Sequence, residues 1–168
     1  MSSRGQPSNR RALRLAVGAV ALGLLAYGLL HHAPARSAAP PLPATHLAGA
    51  KVSLGRLRGQ PFVVVFWASW CLGCQHEAAA VERFASSAAG RGRVVTIDYQ
   101  DGGDWRAFLR RYRWQLPVFR DYNGFTGDAY GITGLPATVF LSSSGKIVAR
   151  SSGTQTVATL SRGLAAAA

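Results

Sequence analysis

Both cysteines of this 168-residue chain fall within the segment Trp70-Cys71-Leu72-Gly73-Cys74. Two thiols separated by two residues can close a small disulfide and reopen it, which is the chemistry of thiol–disulfide exchange. Exchange needs a thiolate to attack, a second thiol to resolve the mixed disulfide, and a route for the proton. The flanking residues supply the setting for the thiolate. Phe62-Val63-Val64-Val65 reads as a buried strand, and Glu77 to Ala89 is compatible with a helix. Cys71 then falls exposed at a helix N-terminus, where unpaired N–H groups and the helix dipole favour its thiolate. Cys74 lies one turn further on, in a more buried position suited to resolving. A static staple is a poor alternative, because a two-residue loop constrains little of the unfolded chain. Zinc would need more ligands, and the nearest histidine, His76, has no companion. No metal is expected here.

Glu77 follows Cys74 by three residues and shares its helical face. Spacing alone leaves open whether it is an ordinary surface carboxylate or a participant. His76 projects the other way on a helical wheel and is expected in solvent. Phe66 and Trp67 read as core, Trp105 and Trp114 as packing residues, and Trp70 as a shield beside Cys71.

The elements that must position these groups follow from the hydrophobic pattern. Strands are predicted over Lys51–Leu54, Phe62–Trp67 and Arg93–Tyr99, Pro117–Arg120 reads as a short strand or a connection, and Ala137–Leu141 and Lys146–Arg150 form a hairpin around Ser142-Ser143-Ser144-Gly145. Helices are predicted over Leu72–Ala89, Trp105–Trp114 and Thr154–Ala167, and residues 122–132 read as loop with a helical turn. The order β-α-β-α followed by β-β-α predicts an α/β domain, a mixed sheet with helices on both faces.

Ahead of this domain, residues 15–30 carry no charge, and Arg4, Arg10, Arg11 and Arg14 precede them without any acidic residue. Extended to Ala12, the apolar segment would make a helix of roughly 28 Å at about 1.5 Å per residue, close to a hydrocarbon core of about 30 Å. Residues 1–14 are therefore expected as a cytoplasmic basic N-terminus and 15–30 as a transmembrane signal-anchor. Residues 31–45, with Pro34, Pro40, Pro41 and Pro43, read as an extended linker, and 46–168 as the exported domain. Cleavage at Ala33-Pro34-Ala35 or Arg36-Ser37-Ala38 is the competing reading, which would leave the domain secreted. The formal net charge is +12, but five of the 19 basic residues precede Thr45. Arg106, Arg110, Arg111 and Arg113 lie on one predicted helix and read as a solvated face, so nucleic acid is not an expected partner.

The chain resembles the membrane-anchored TlpA/ResA/DsbE-like thioredoxins of bacteria, and three segments carry the likeness. Phe66-Trp67-Ala68-Ser69-Trp70-Cys71 with Cys74 matches the family's FWAxWCxxC signature. Leu54 with Leu57-Arg58-Gly59-Gln60-Pro61 matches its lead-in to the central strand. Gly134-Leu135-Pro136-Ala137-Thr138, followed by Gly145-Lys146-Ile147, matches the segment that holds the fold's cis-proline. The resemblance implies a thioredoxin fold and a protein thiol–disulfide oxidoreductase without a cofactor. It implies a catalytic Glu77 that manages the proton of the cysteine pair, and a cis Pro136 that sets the Leu135 backbone opposite Cys71 to pair with a substrate strand. Trp70, Leu135 and Pro136 would then form the substrate-binding rim.

The same likeness implies disulfide-bearing protein clients of the cytochrome c maturation or copper-delivery kind. It further implies a membrane thiol reductase as electron donor and a bacterial cytoplasmic-membrane location with the catalytic domain on the periplasmic side. Two departures stand out: thioredoxin's buried aspartate, six residues before the first cysteine, is Val65 here, and many relatives have proline where this chain has Gly73. An oxidant or isomerase of exported proteins, a Cu(I)-binding assembly module and a peroxiredoxin-like antioxidant remain as alternatives. The last is weakened by Ala68, which occupies the place of a required Thr or Ser.

Overall fold

The computed structural model describes residues 37–168. The expected basic N-terminus, transmembrane segment and first residues of the linker lie outside the described residues. Among the described residues, no helix is long and apolar enough to cross a membrane.

Six strands form one sheet: β1 (Thr45–Ala48), β2 (Phe62–Trp67), β3 (Val94–Tyr99), β4 (Val118–Asp121), β5 (Ala137–Leu141) and β6 (Ile147–Ser152), in the spatial order β1-β4-β3-β2-β5-β6. Strands β2, β3 and β4 run parallel, whereas β1, β5 and β6 pair antiparallel with their neighbours. Five helices complete the domain: α1 (Leu54–Leu57), α2 (Leu72–Ser86), α3 (Trp105–Tyr112), α4 (Phe125–Tyr130) and α5 (Val157–Ala166). This is the thioredoxin-like α/β arrangement, with helices on both faces of a mixed sheet.

The core explains why β2 is central. All six of its residues are fully buried, so the strand reads as a continuous apolar run rather than an alternating one. Val63, Val65 and Trp67 face α2, α3 and α5, meeting Ala78, Val81, Phe84, Phe108 and Leu160. Val64 and Phe66 face the other layer with Leu57, Ile97 and Tyr130. Each large side chain buried this way contributes roughly 1.5–3 kcal/mol relative to exposure. Trp67 stacks on Phe108 at 4.3 Å between ring centroids and meets Trp114 edge-on, and the Trp114 indole N–H donates to the Ala78 carbonyl at 2.9 Å.

Helix α2 turns one face inward at Cys74, Ala78, Val81 and Phe84, the three-to-four spacing of an amphipathic helix. It ends at Ser86, short of the expected Ala89. Ser87 leaves helical geometry, and both its N–H and its hydroxyl donate to the Phe84 carbonyl. Gly90 then approaches that carbonyl so closely that no Cβ would fit.

The structure corrects two expectations at the start of the domain. Lys51–Leu54 is not a strand: Ser53 opens the one-turn helix α1 instead. The early strand is β1, whose Thr45 and His46 register with Arg120 and Phe119 of β4. Residues 37–45, expected as free linker, lie on the domain. Ala38 bridges Lys146, Ser37 accepts from the Ile147 N–H, and Ala39 donates to the Gly145 carbonyl. The buried Tyr130 donates its hydroxyl to Pro40 at 2.8 Å, and Ala39 and Leu42 pack on the core. Residues 122–132, expected as loop with a helical turn, contain the six-residue helix α4.

Candidate active site

The three parallel strands deliver their following loops to one end of the sheet. Residues 68–71 after β2, residues 100–104 after β3, and the segment before β5 that carries Leu135 and Pro136 all converge there. Cys71 is the N-cap of α2, and its Sγ accepts the Cys74 N–H at 3.1 Å. The two cysteines form a disulfide with Cα atoms 5.2 Å apart. Such an N-terminal N–H, together with the dipole of a fifteen-residue helix, would stabilise a Cys71 thiolate once the bond opens. Cys71 is not exposed as expected. It keeps 5% of its surface against 1% for Cys74, because its sulfur turns inward to the disulfide and the α2 N–H. Its neighbours Trp70 and Leu72 instead project, at 60% and 65% exposure. Trp70 therefore presents an exposed aromatic surface next to the cysteine pair.

The Leu135–Pro136 peptide is cis. Pro136 is buried and its carbonyl accepts the Gly153 N–H at 2.9 Å, while Leu135 is half-buried at the rim. Gly73 meets this proline directly: a Cβ there would stand 2.9 Å from Pro136 Cδ. The glycine between the cysteines thus admits close packing of the α2 N-terminus on the proline loop. Gly73→Ala is expected to destabilise the domain by about 1–3 kcal/mol, the usual range for overpacking against a rigid ring. Chemical denaturation measures this, and an unchanged midpoint would mean that the proline loop yields freely.

Glu77 is not a surface carboxylate. It is 1% exposed, one helical turn beyond Cys74. Its Oε2 accepts the Gln155 N–H at 2.7 Å, and its Oε1 has no protein partner. Burial pushes its pKa up to about 7, opposed by the Gln155 hydrogen bond. A carboxyl balanced near neutrality beside a cysteine pair can both take and return a proton. His76 is exposed, as expected. Val65 is buried, and its register neighbours Thr96 and Thr138 are buried too, so no acid stands at that point of the sheet.

Sequence reasoning missed the groups that hold this site from outside α2. Gln155 lies 78 residues from Glu77 and is joined to it only by the fold. Asp101, just past the end of β3, grips Ser69 from 32 positions away. No local pattern announces either contact.

Known proteins resemble this chain throughout the domain. Thioredoxin-like protein YneN of Bacillus subtilis is 30% identical over 113 residues, which cover 65% of this chain and 66% of YneN, just under two thirds of its length. Thiol-disulfide oxidoreductase ResA of Bacillus cereus is 26% identical over 120 residues, covering 70% of this chain and 69% of ResA. A crystal structure of a candidate thiol:disulfide interchange protein DsbE from Chlorobium tepidum superposes with a TM-score of 0.65 at 26% identity, over 79% of this chain and 96% of that one. The AhpC/TSA family model matches residues 35–150. The match of the family model over residues 35–150 places the chain in the AhpC/TSA family, and its thioredoxin-like fold and paired cysteines accord with that.

Proposed function

We propose that this chain is an exported, membrane-tethered thiol–disulfide oxidoreductase that reduces disulfides of exported proteins. One observation carries the reading: a cysteine pair bonded across the N-terminus of α2, with Cys71 the less buried residue and a backbone N–H directed at its sulfur. The Cys71 thiolate attacks one sulfur of a client disulfide, and the other client sulfur leaves as a thiolate. Cys74 gives its proton to the Glu77 carboxylate and attacks Cys71, which releases the second client thiolate. The client gains two electrons and this chain ends with the Cys71–Cys74 disulfide. A membrane thiol reductase restores the dithiol.

Trp70, Leu135 and Pro136 form the rim against which an extended client strand lies. The arginines before the uncharged residues 15–30 support a retained anchor with the domain on the extracytoplasmic side. The resemblance to ResA and DsbE supports clients of the cytochrome c maturation or copper-delivery type. The direction of exchange is settled by the potential of the pair, since Leu72 and Gly73 bring no charge to it.

The test uses the reduced chain with insulin as a model client. One insulin disulfide should be lost for each Cys71–Cys74 disulfide formed, and catalytic turnover should follow when a dithiol is supplied. Insulin disulfides that persist beside an unspent dithiol would sink the reading.

A further inference from the structure

Ser69 stands two residues before Cys71, and each of its polar groups is held. Its N–H donates to Asp101 Oδ2 at 2.7 Å and its hydroxyl to Asp101 Oδ1 at 2.9 Å, while its carbonyl accepts from Gln75 Nε2 of α2 at 3.0 Å. Asp101 is 1% exposed and takes a third bond, from the Gly103 N–H at 2.7 Å. Gly103 packs so near Ser69 Oγ that no side chain fits there.

Asp101 is itself anchored from below. Arg120 of β4 donates to the Asp101 carbonyl at 2.6 Å and sets its other guanidinium nitrogen 3.6 Å from Asp98 Oδ2. Asp98 lies fully buried on β3, in register with Trp67 at the end of β2. Burial first, and then the Asp101 charge, push the Asp98 pKa up to about 8 against the pull of Arg120. Burial therefore favours the neutral form of Asp98, whose two oxygens accept no hydrogen bond from the protein. Burial opposes the ionisation of Asp101, yet the bonds from Ser69 and Gly103 hold its pKa below the usual carboxylate value. The Asp101 carboxylate is thus aimed at the loop that presents the cysteines.

We propose that Asp101 is a positioning residue for the redox pair: by gripping Ser69 it keeps Cys71 over the α2 N-terminus when the disulfide is open. This rests on the reading of Cys71 and Cys74 as an exchange pair. In the oxidised form the disulfide itself ties Cys71 to α2, so the grip on Ser69 duplicates an existing restraint. In the reduced form that tie is gone. Cys71 is then held by its own N–H on the Ala68 carbonyl, at 3.1 Å, by its carbonyl, which accepts the Gln75 N–H of α2 at 3.1 Å, and by what fixes Ser69 on its other side. Losing the grip lets the sulfur leave the Cys74 N–H, which destabilises the thiolate and with it the reduced state.

The test is Asp101→Asn, which keeps the shape but sets an amide where two N–H groups need acceptors. Iodoacetamide alkylation of Cys71, measured against pH in a Cys74→Ser background, should need higher pH and run at least threefold slower at pH 7. The potential of the intact pair, measured by glutathione equilibration, should become more negative. A merely structural role would weaken oxidised and reduced forms alike and leave the potential where it was. An unchanged profile and potential overturn the proposal. So does a shift to lower pH, because that would make the Asp101 charge, rather than its grip, the dominant effect.

Ser69→Ala removes one of the two bonds at a half-exposed site, and should move both readouts the same way by a smaller factor even if Asp101→Asn does not fold. If Ser69→Ala moves neither readout, the proposal also fails. Both measurements are made on the chain's own thiols. Failure of the insulin assay would therefore remove the client reading without deciding this one.

Discussion

Cys71→Ser is expected to lower insulin-disulfide turnover by about a thousandfold or more, to the level of the dithiol alone. A hydroxyl at this position cannot form the mixed disulfide, and loss of a covalent nucleophile removes the pathway instead of slowing one step. Cys74→Ser should behave differently. Cys71 still attacks, but nothing resolves the product, so a mixed disulfide with the client accumulates. It would appear on a non-reducing gel as a larger species that dithiothreitol collapses. The asymmetry follows from position: Cys71 caps α2 with its sulfur on an N–H and keeps some accessible surface, whereas Cys74 is sealed beneath. Trapping by Cys71→Ser and not by Cys74→Ser would reverse the two assignments.

Glu77→Gln should separate chemistry from stability. With its pKa raised to about 7 by burial, Glu77 is protonated below neutrality and ionised above it. As acceptor of the Cys74 proton it works in the ionised form, so wild-type resolution should accelerate as pH rises through about 7. The Gln variant should lose that limb and resolve mixed disulfides on the order of a hundredfold more slowly at pH 8. Stability moves the opposite way. A carboxyl whose folded pKa lies above its ordinary value of 4.5 adds stability that is fully present below that value and lost as pH rises through 7. That loss can approach about 3 kcal/mol for a shift of this size. Glutamine cannot ionise, so over pH 4.5–7 its unfolding midpoint should fall less steeply than that of the wild type. Parallel rate profiles for the two proteins would remove Glu77 from proton transfer, and parallel midpoint profiles would remove it from the pH dependence of stability.

The parts of this molecule that were legible in the sequence are those whose signal is local. Phe62–Trp67 is an unbroken apolar run because both faces of β2 are covered, and the cysteines follow it directly into α2. The helical spacing from Cys74 to Glu77 could be read, but the burial of Glu77 could not. It depends on the chain returning with Gln155 at the start of α5. Strand β1 escaped notice because it is a four-residue edge strand whose first residue is exposed, with no alternation to announce it. Lys51–Leu54 alternates like a strand, yet Ser53 and the turn beyond it favour one turn of helix. Asp98 is the one charged residue of β3. Its meaning comes from Asp101, three residues along, and from Arg120, which only the sheet brings beside it.

The segment running from Ser37 to Leu42 has a practical bearing on where this domain begins. Severing the polypeptide ahead of Ser37 spares its backbone pairing with the β5–β6 turn and leaves Pro40 in place. Severing it at His46 forfeits these bonds, strips Ala39 and Leu42 from one apolar layer and deprives the Tyr130 phenol of its acceptor in a dry interior. The proline-rich stretch is thus less a leash than a hem, stitched along the far side of the fabric from the sulfur atoms.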